Sequence, residues 1–188
     1  MLIQMLIARP QMIGAVLAGT PIWVWFLLAG LAGLGASQLK TRSMSAVRAF
    51  ITPVAMTGLS LWGTISAFSH SAAYGQVLAV WVLTAVALAA VVGSIAPPAA
   101  ARFNPQDRTF TVPGSWVPLV LIVGIFLVKY MVGVELAMNP GLSHDSSYSL
   151  TYGAIYGFFS GIFIGRSVRL ARLARRSASP VSTPIANA

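Results

Sequence analysis

The stretch "YGAIYGFFSGIFIG", residues 152–165, places a glycine at every fourth position: Gly153, Gly157, Gly161 and Gly165. In water glycine weakens a helix by roughly 1 kcal/mol relative to alanine. Inside a bilayer the backbone has nowhere else to bond, and helices associate by close approach of small residues. Residues four apart share one helix face, so these glycines form a groove into which a neighbouring helix fits. Such a glycine zipper predicts a packed membrane helix. Its expected occupant is another span of the same chain, with the first span as candidate because "AGLAGLGAS", residues 29–37, is also rich in small residues. A homo-oligomeric contact or a pore wall is the other reading. Beside the glycines runs a second row, Tyr148, Tyr152 and Tyr156; the outer two suit an aromatic belt, and the deeper Tyr156 needs a hydrogen-bond partner.

Composition agrees with a lipid environment. Of 188 residues, 57% are hydrophobic and only 8% charged, with a mean hydropathy of +0.81, too few charges to cover a water-soluble domain of this size. Cysteine is absent, which excludes disulfides, thiolate metal sites, Cys nucleophiles and lipoprotein-type anchors.

Five apolar stretches reach the roughly 20 residues a bilayer requires: 21–38, 46–68, 74–95, 116–136 and 149–166. None alternates as barrel strands do, so the expected fold is all-α, an integral membrane bundle of five transmembrane helices. Lys40, Arg42 and Arg48 follow the first span, Arg102 and Arg108 the third, and Arg166, Arg169, Arg172, Arg175 and Arg176 the fifth; "SHSAAYG" (69–75) and "NPGLSHDSSYS" (139–149) contain no Lys or Arg. This alternation predicts an N-terminus outside and a C-terminus in the cytoplasm. The net charge of +9 is then a topology signal rather than a nucleic-acid footprint.

Residues 1–19 are apolar but carry Arg9 and Pro10 mid-run, where an arginine costs about 2.5–3.5 kcal/mol on insertion scales. Gln4, Gln11, Ala8, Ala15 and Ala18 fall on one side at helical spacing, so the segment reads as a kinked interfacial helix. A signal peptide fits less well, because the basic residue follows the apolar start. Thr20-Pro21 is expected to open the first span as N-cap and first-turn proline. Pro53 and Pro118 lie near the starts of the second and fourth spans, and Pro53 is deep enough to bend its helix. In the third loop, residues 108–112 alternate polar and apolar before Pro113-Gly114, which is compatible with a short β-hairpin or an interfacial loop. Residues 177–188 read as a disordered tail.

The chemistry-bearing groups are few. Asp107, Glu135 and Asp145 are the only acids, Asp107 reads as a loop-stabilising charge, and no paired-carboxylate, zincin, nucleophile-elbow or P-loop pattern occurs, so an enzyme is not expected. Lys129, in "GIFLVKYMVGVE" (124–135), falls past the midpoint of the fourth span. It either snorkels or pairs with Glu135, although six residues is not a same-face spacing, or lines a path for an anion or proton, with Tyr156 beside it. His70 and His144 fall in the two outer loops and read as solvated residues more readily than as a metal or pH-sensing site. No cofactor or metal is expected. The arginines of "RSVRLARLARR" (166–176) recur at threes and fours, which suits contact with anionic lipid headgroups. The expected function is that of a non-enzymatic helix-packing or accessory membrane component, with a small oligomeric transporter or channel, Lys129 lining its pathway, as the alternative; expected partners are membrane lipids, and a second copy or another membrane protein.

The segments "TPIWVWFLLAGLAGLG", "ITPVAMTGLSLWG", "DRTFTVPGSWVPLVLIVGIFLVKY" and "YGFFSGIFIGRSVRLAR" together resemble a family of small, uncharacterised bacterial inner-membrane proteins, a domain of unknown function. The resemblance spans about residues 20–176 and leaves the start as an addition. It implies a bacterial inner membrane and several spanning helices, and brings no activity, ligand or catalytic residue.

Overall fold

The computed structural model describes residues 11–178. Six helices follow in order: α1 (Gln11–Ala18), α2 (Ile22–Ala36), α3 (Ala46–Phe68), α4 (Tyr74–Ser94), α5 (Val117–Met138) and α6 (Ser146–Ala178). The described residues also form three short strands, β1 (Arg42–Ser45), β2 (Arg102–Asn104) and β3 (Thr109–Val112), and 3-10 turns at Ser37–Leu39 and Pro140–His144. Among the described residues four helices, not five, are long and apolar enough to cross a membrane: Ile22–Leu39, which adds a 3-10 turn to α2, then α3, α4 and α5. The glycines, serines and tyrosines of α6 dilute its hydropathy over the stretch where a fifth span was expected.

The glycine row does seat a neighbour within the chain, but the neighbour is α4 and not the first span. The carbonyl oxygens of Trp81, Ala85 and Ala89 press against Gly157, Gly161 and Gly165, and Val77 presses against Gly153. A Cβ at residue 161 would lie 2.6 Å from the Ala85 oxygen, and one at 165 the same distance from Val92 Cβ. Real side chains do not tolerate such separations. The α4–α6 interface is the most extensive in the molecule, followed by α3–α6. The α2 helix instead packs on α5, where Gly35 abuts Leu119.

The fold is not purely helical. The strands form an antiparallel sheet in the order β1-β3-β2, with Arg42 opposite Val112 and Phe103 opposite Phe110. Of the hairpin and interfacial loop left open for the third loop, the structure has a hairpin, β2–β3, but it turns between Asn104 and Thr109 and not at Pro113-Gly114, and β1 adds to it from the first loop. Arg108 closes the turn at φ 49°. Asn104 supports that turn: its side chain accepts from Gln106 N at 3.0 Å and donates to Asp107 Oδ2 at 2.7 Å, which gives Asp107 its loop-stabilising role. Phe110 is fully buried against Phe103 and meets Phe50 of α3 edge-on. Gly114 touches the Leu39 backbone, an approach no side chain permits.

Helix ends follow local chemistry. Ser45 caps α3 by accepting from Arg48 N, and Asp145 accepts from Tyr148 N at 2.9 Å in the first turn of α6, where a carboxylate also complements the helix dipole. Thr20 does not cap α2. Pro21 holds the cap position, and the Thr20 hydroxyl donates to Val16 O at 2.7 Å and meets the Tyr130 hydroxyl at 2.5 Å. Pro53 lies inside α3. Of the expected N-terminal interfacial helix, residues 1–10 lie outside the described residues and 11–18 are helical; of the expected disordered tail, residues 177–178 still belong to α6 and 179–188 lie outside the described residues.

Candidate functional site

Two groups of helices divide the molecule. The first is α3, α4 and α6, tied at mid-height by hydrogen bonds that the sequence reading missed. Ser60 Oγ on α3 donates to Tyr156 O at 3.2 Å and accepts from Trp81 Nε1 of α4 at 3.2 Å, with Ser160 Oγ of α6 a further 2.9 Å away. Ser160 is 2% exposed and also lies 2.9 Å from Tyr156 O. In lipid such groups find partners only on one another. Serines and a tryptophan in apolar runs look generic, so nothing in the pattern singled them out. The second group is the α2–α5 pair.

Between the groups runs a groove of about 850 Å³. Its walls come from α2, α3, α5 and α6, and Val16, Gly19 and Thr20 line it too. Lys129 is the one charged residue among those lining it, and it remains accessible there. Twelve residues into α5, it sits about 18 Å along a helix of about 33 Å at 1.5 Å per residue. Its ammonium does not reach for an end of the helix. It lies 5.0 Å from the centroid of the Tyr156 ring, a cation–π arrangement, and touches the position that a Cβ on Gly63 of α3 would fill. Gly63 thus makes room for the amine, a role that one glycine in an apolar run does not advertise.

The structure brings together Lys129 and Tyr156, together with Ser60, Ser160 and Tyr130; Thr57 does not line the groove. Glu135 occupies a different place. It is 4% exposed and accepts from Tyr152 hydroxyl at 3.1 Å, with the buried Tyr148 hydroxyl beside it. Tyr148 and Tyr152 therefore flank a buried carboxylate. Nearby, His144 Nδ1 lies 3.0 Å from His70 O, so the loops 69–73 and 139–145 touch.

The arginines gather at the sheet end. Arg169 and Arg172 donate to Ala96 O at 2.5 Å and Gly93 O at 2.6 Å. Arg172 satisfies a carbonyl in the last turn of α4 and complements its dipole, while Arg169 holds the chain just past the helix end, a structural use beside the expected lipid contact. Arg166 lies near Arg169 and Arg42. Arg42 donates to Gln38 Oε1 at 2.8 Å, and burial, then the charge of Arg48, lowers its guanidinium pKa. Arg175 and Arg176 stand in the last turn of α6.

Residues 1–181 match a family of unknown function, DUF6622, and the chain belongs to it. The match begins at residue 1, so the opening segment is part of the family pattern and not an addition to it. No curated protein and no solved structure matches the chain.

Proposed function

Since membership of this family assigns no activity, we propose from the chain's own geometry that it is a non-enzymatic protein of a bacterial inner membrane that holds an anionic ligand at Lys129. Its class is that of a small transporter or channel. In this reading α6 is a fifth span: its polar face is covered by α3 and α4, so it needs no uniformly apolar surface. The N-terminus is outside and the sheet end is cytoplasmic, in keeping with the arginines collected there.

The observation that carries the reading is the position of the Lys129 ammonium, seated on Gly63 and the Tyr156 ring inside a groove. An ionisable group at membrane depth is costly, and such groups mark ligand pathways when they face a cavity. Self-association through the glycine row loses its main support, because α4 occupies that face; a partner would have to dock elsewhere.

Thermal shift of the purified protein tests the reading. Chloride, inorganic phosphate, acetate and dodecyl phosphate are added in turn to the native chain and to Lys129→Met. At least one anion raises the melting temperature of the native protein, and none raises that of the variant. A native protein that responds to none of them, or a variant that responds equally, overturns it.

A further inference from the structure

The lining of the groove is uneven along its length. Its polar atoms, from Lys129, Tyr130, Thr20, Ser60, Ser160 and Tyr156, collect from mid-height upward, away from the sheet. Toward the sheet end the described walls are apolar: Leu31 and Leu34 of α2, Met56 of α3, Ile122 and Ile125 of α5, and Phe163 of α6. From Lys129 down to Ile122 that apolar track runs seven residues, about 10 Å of helix rise. A small hydrated anion gains nothing from such a track and must shed its water to reach the amine.

The groove also opens sideways. The α2 helix packs on α5 and shares no comparable interface with α3, so one lip carries Trp23 and Leu34 and the other Leu59, which are 62%, 56% and 55% exposed. A ligand already dissolved in the bilayer enters there without crossing water. The volume lies within the ~300–1,000 Å³ usual for small-molecule sites.

We infer that the groove takes an anionic amphiphile drawn from the bilayer, its carboxylate or phosphate head on Lys129 and its acyl chain laid along the track between α2 and α6. This rests on the anion reading of Lys129 above and narrows it to one chemical class. Charge and shape agree: among the described lining residues there is one cation and no acid, so one acidic head is matched, and the apolar half is matched by a chain. The polar half faces away from the sheet. A lipid with its head on that side, sunk deeper than its neighbours, has the required polarity.

The chain has two lysines, Lys40 and Lys129, so Lys40→Arg leaves a single-lysine protein whose Lys129 is followed by amine labelling in zwitterionic nanodiscs. With dodecyl phosphate at about ten times its dissociation constant, labelling slows about tenfold. Inorganic phosphate at the same concentration and the uncharged dodecyl maltoside leave the rate unchanged. In Leu31→Trp, which fills the track and spares the amine, the protection is lost while the unprotected rate persists. Equal protection by inorganic phosphate overturns the amphiphile and leaves the anion reading standing. Protection by neither overturns both. Protection by dodecyl maltoside alone, or full protection in Leu31→Trp, shows the chain lying elsewhere and overturns the proposal.

Discussion

The backbone carbonyl of Trp81 on α4 points into the space where residue 157 of α6 would carry a Cβ. The two helices meet backbone to backbone along four turns, and the contact depends on side chains that are not there. Gly157→Leu is therefore expected to destabilise the chain by more than the ~1–3 kcal/mol of ordinary overpacking, since a carbonyl in a helix cannot step aside. Gly30→Ala on α2, whose Cβ meets nothing within 4 Å, is expected to leave the melting temperature within error. Thermal unfolding of both variants in the same detergent, with particle mass recorded, checks the pair.

Gly63 meets not a backbone but the flexible end of Lys129. A methyl group there displaces the amine at little cost to the helices. Gly63→Ala is expected to keep the native melting temperature and to change the labelling rate of Lys129 in the single-lysine protein. An unaltered rate would show that the amine is not seated on α3.

Ser60 ties α3 to two other helices, since Trp81 of α4 and both Tyr156 and Ser160 of α6 meet its hydroxyl. Ser60→Ala leaves the Trp81 N–H without its acceptor and is expected to cost about 1–2 kcal/mol, the upper range for interhelical hydrogen bonds in membranes. Ser66→Ala, at a site with no comparable network, is the control. Chemical denaturation in mixed micelles measures both.

Arg172 holds the carbonyl of Gly93, and Arg169 that of Ala96. Arg172→Gln shortens the reach and removes the charge, so the last turn of α4 is expected to exchange its amide hydrogens faster, by the factor that corresponds to ~1 kcal/mol. Exchange in the middle of α4 is expected to stay as it is. Uniform change along the helix would argue that Arg172 acts through packing instead.

Much of the helical layout was legible because uninterrupted apolar runs of lipid length are strong signals. The starts of α3, α4 and α5 fall within one residue of the stretches read from the sequence. The glycine row declared a close helix contact but not the partner: small residues on a face fit any neighbour, and only the fold decides between "AGLAGLGAS" and α4. The strand β1 escaped notice because four residues, "RSMS", give too little alternation to register and pair with a segment 64 or more residues away. At the site, Lys129 stood out because a charge in an apolar run is rare. Gly63, Ser60 and Ser160 did not, because their importance comes from what other helices bring to them.

The sheet works as a seam. It joins the end of α2 to the start of α3 through β1, and the end of α4 to the start of α5 through β2 and β3, so both walls of the groove are stitched to a common base. Panels fastened at one edge move by splaying at the other. The seam at the base fixes where α2 and α5 pivot against α3 and α6, and the width of the opening near Trp23 and Leu59 is set by an angle and not by a gap between free helices.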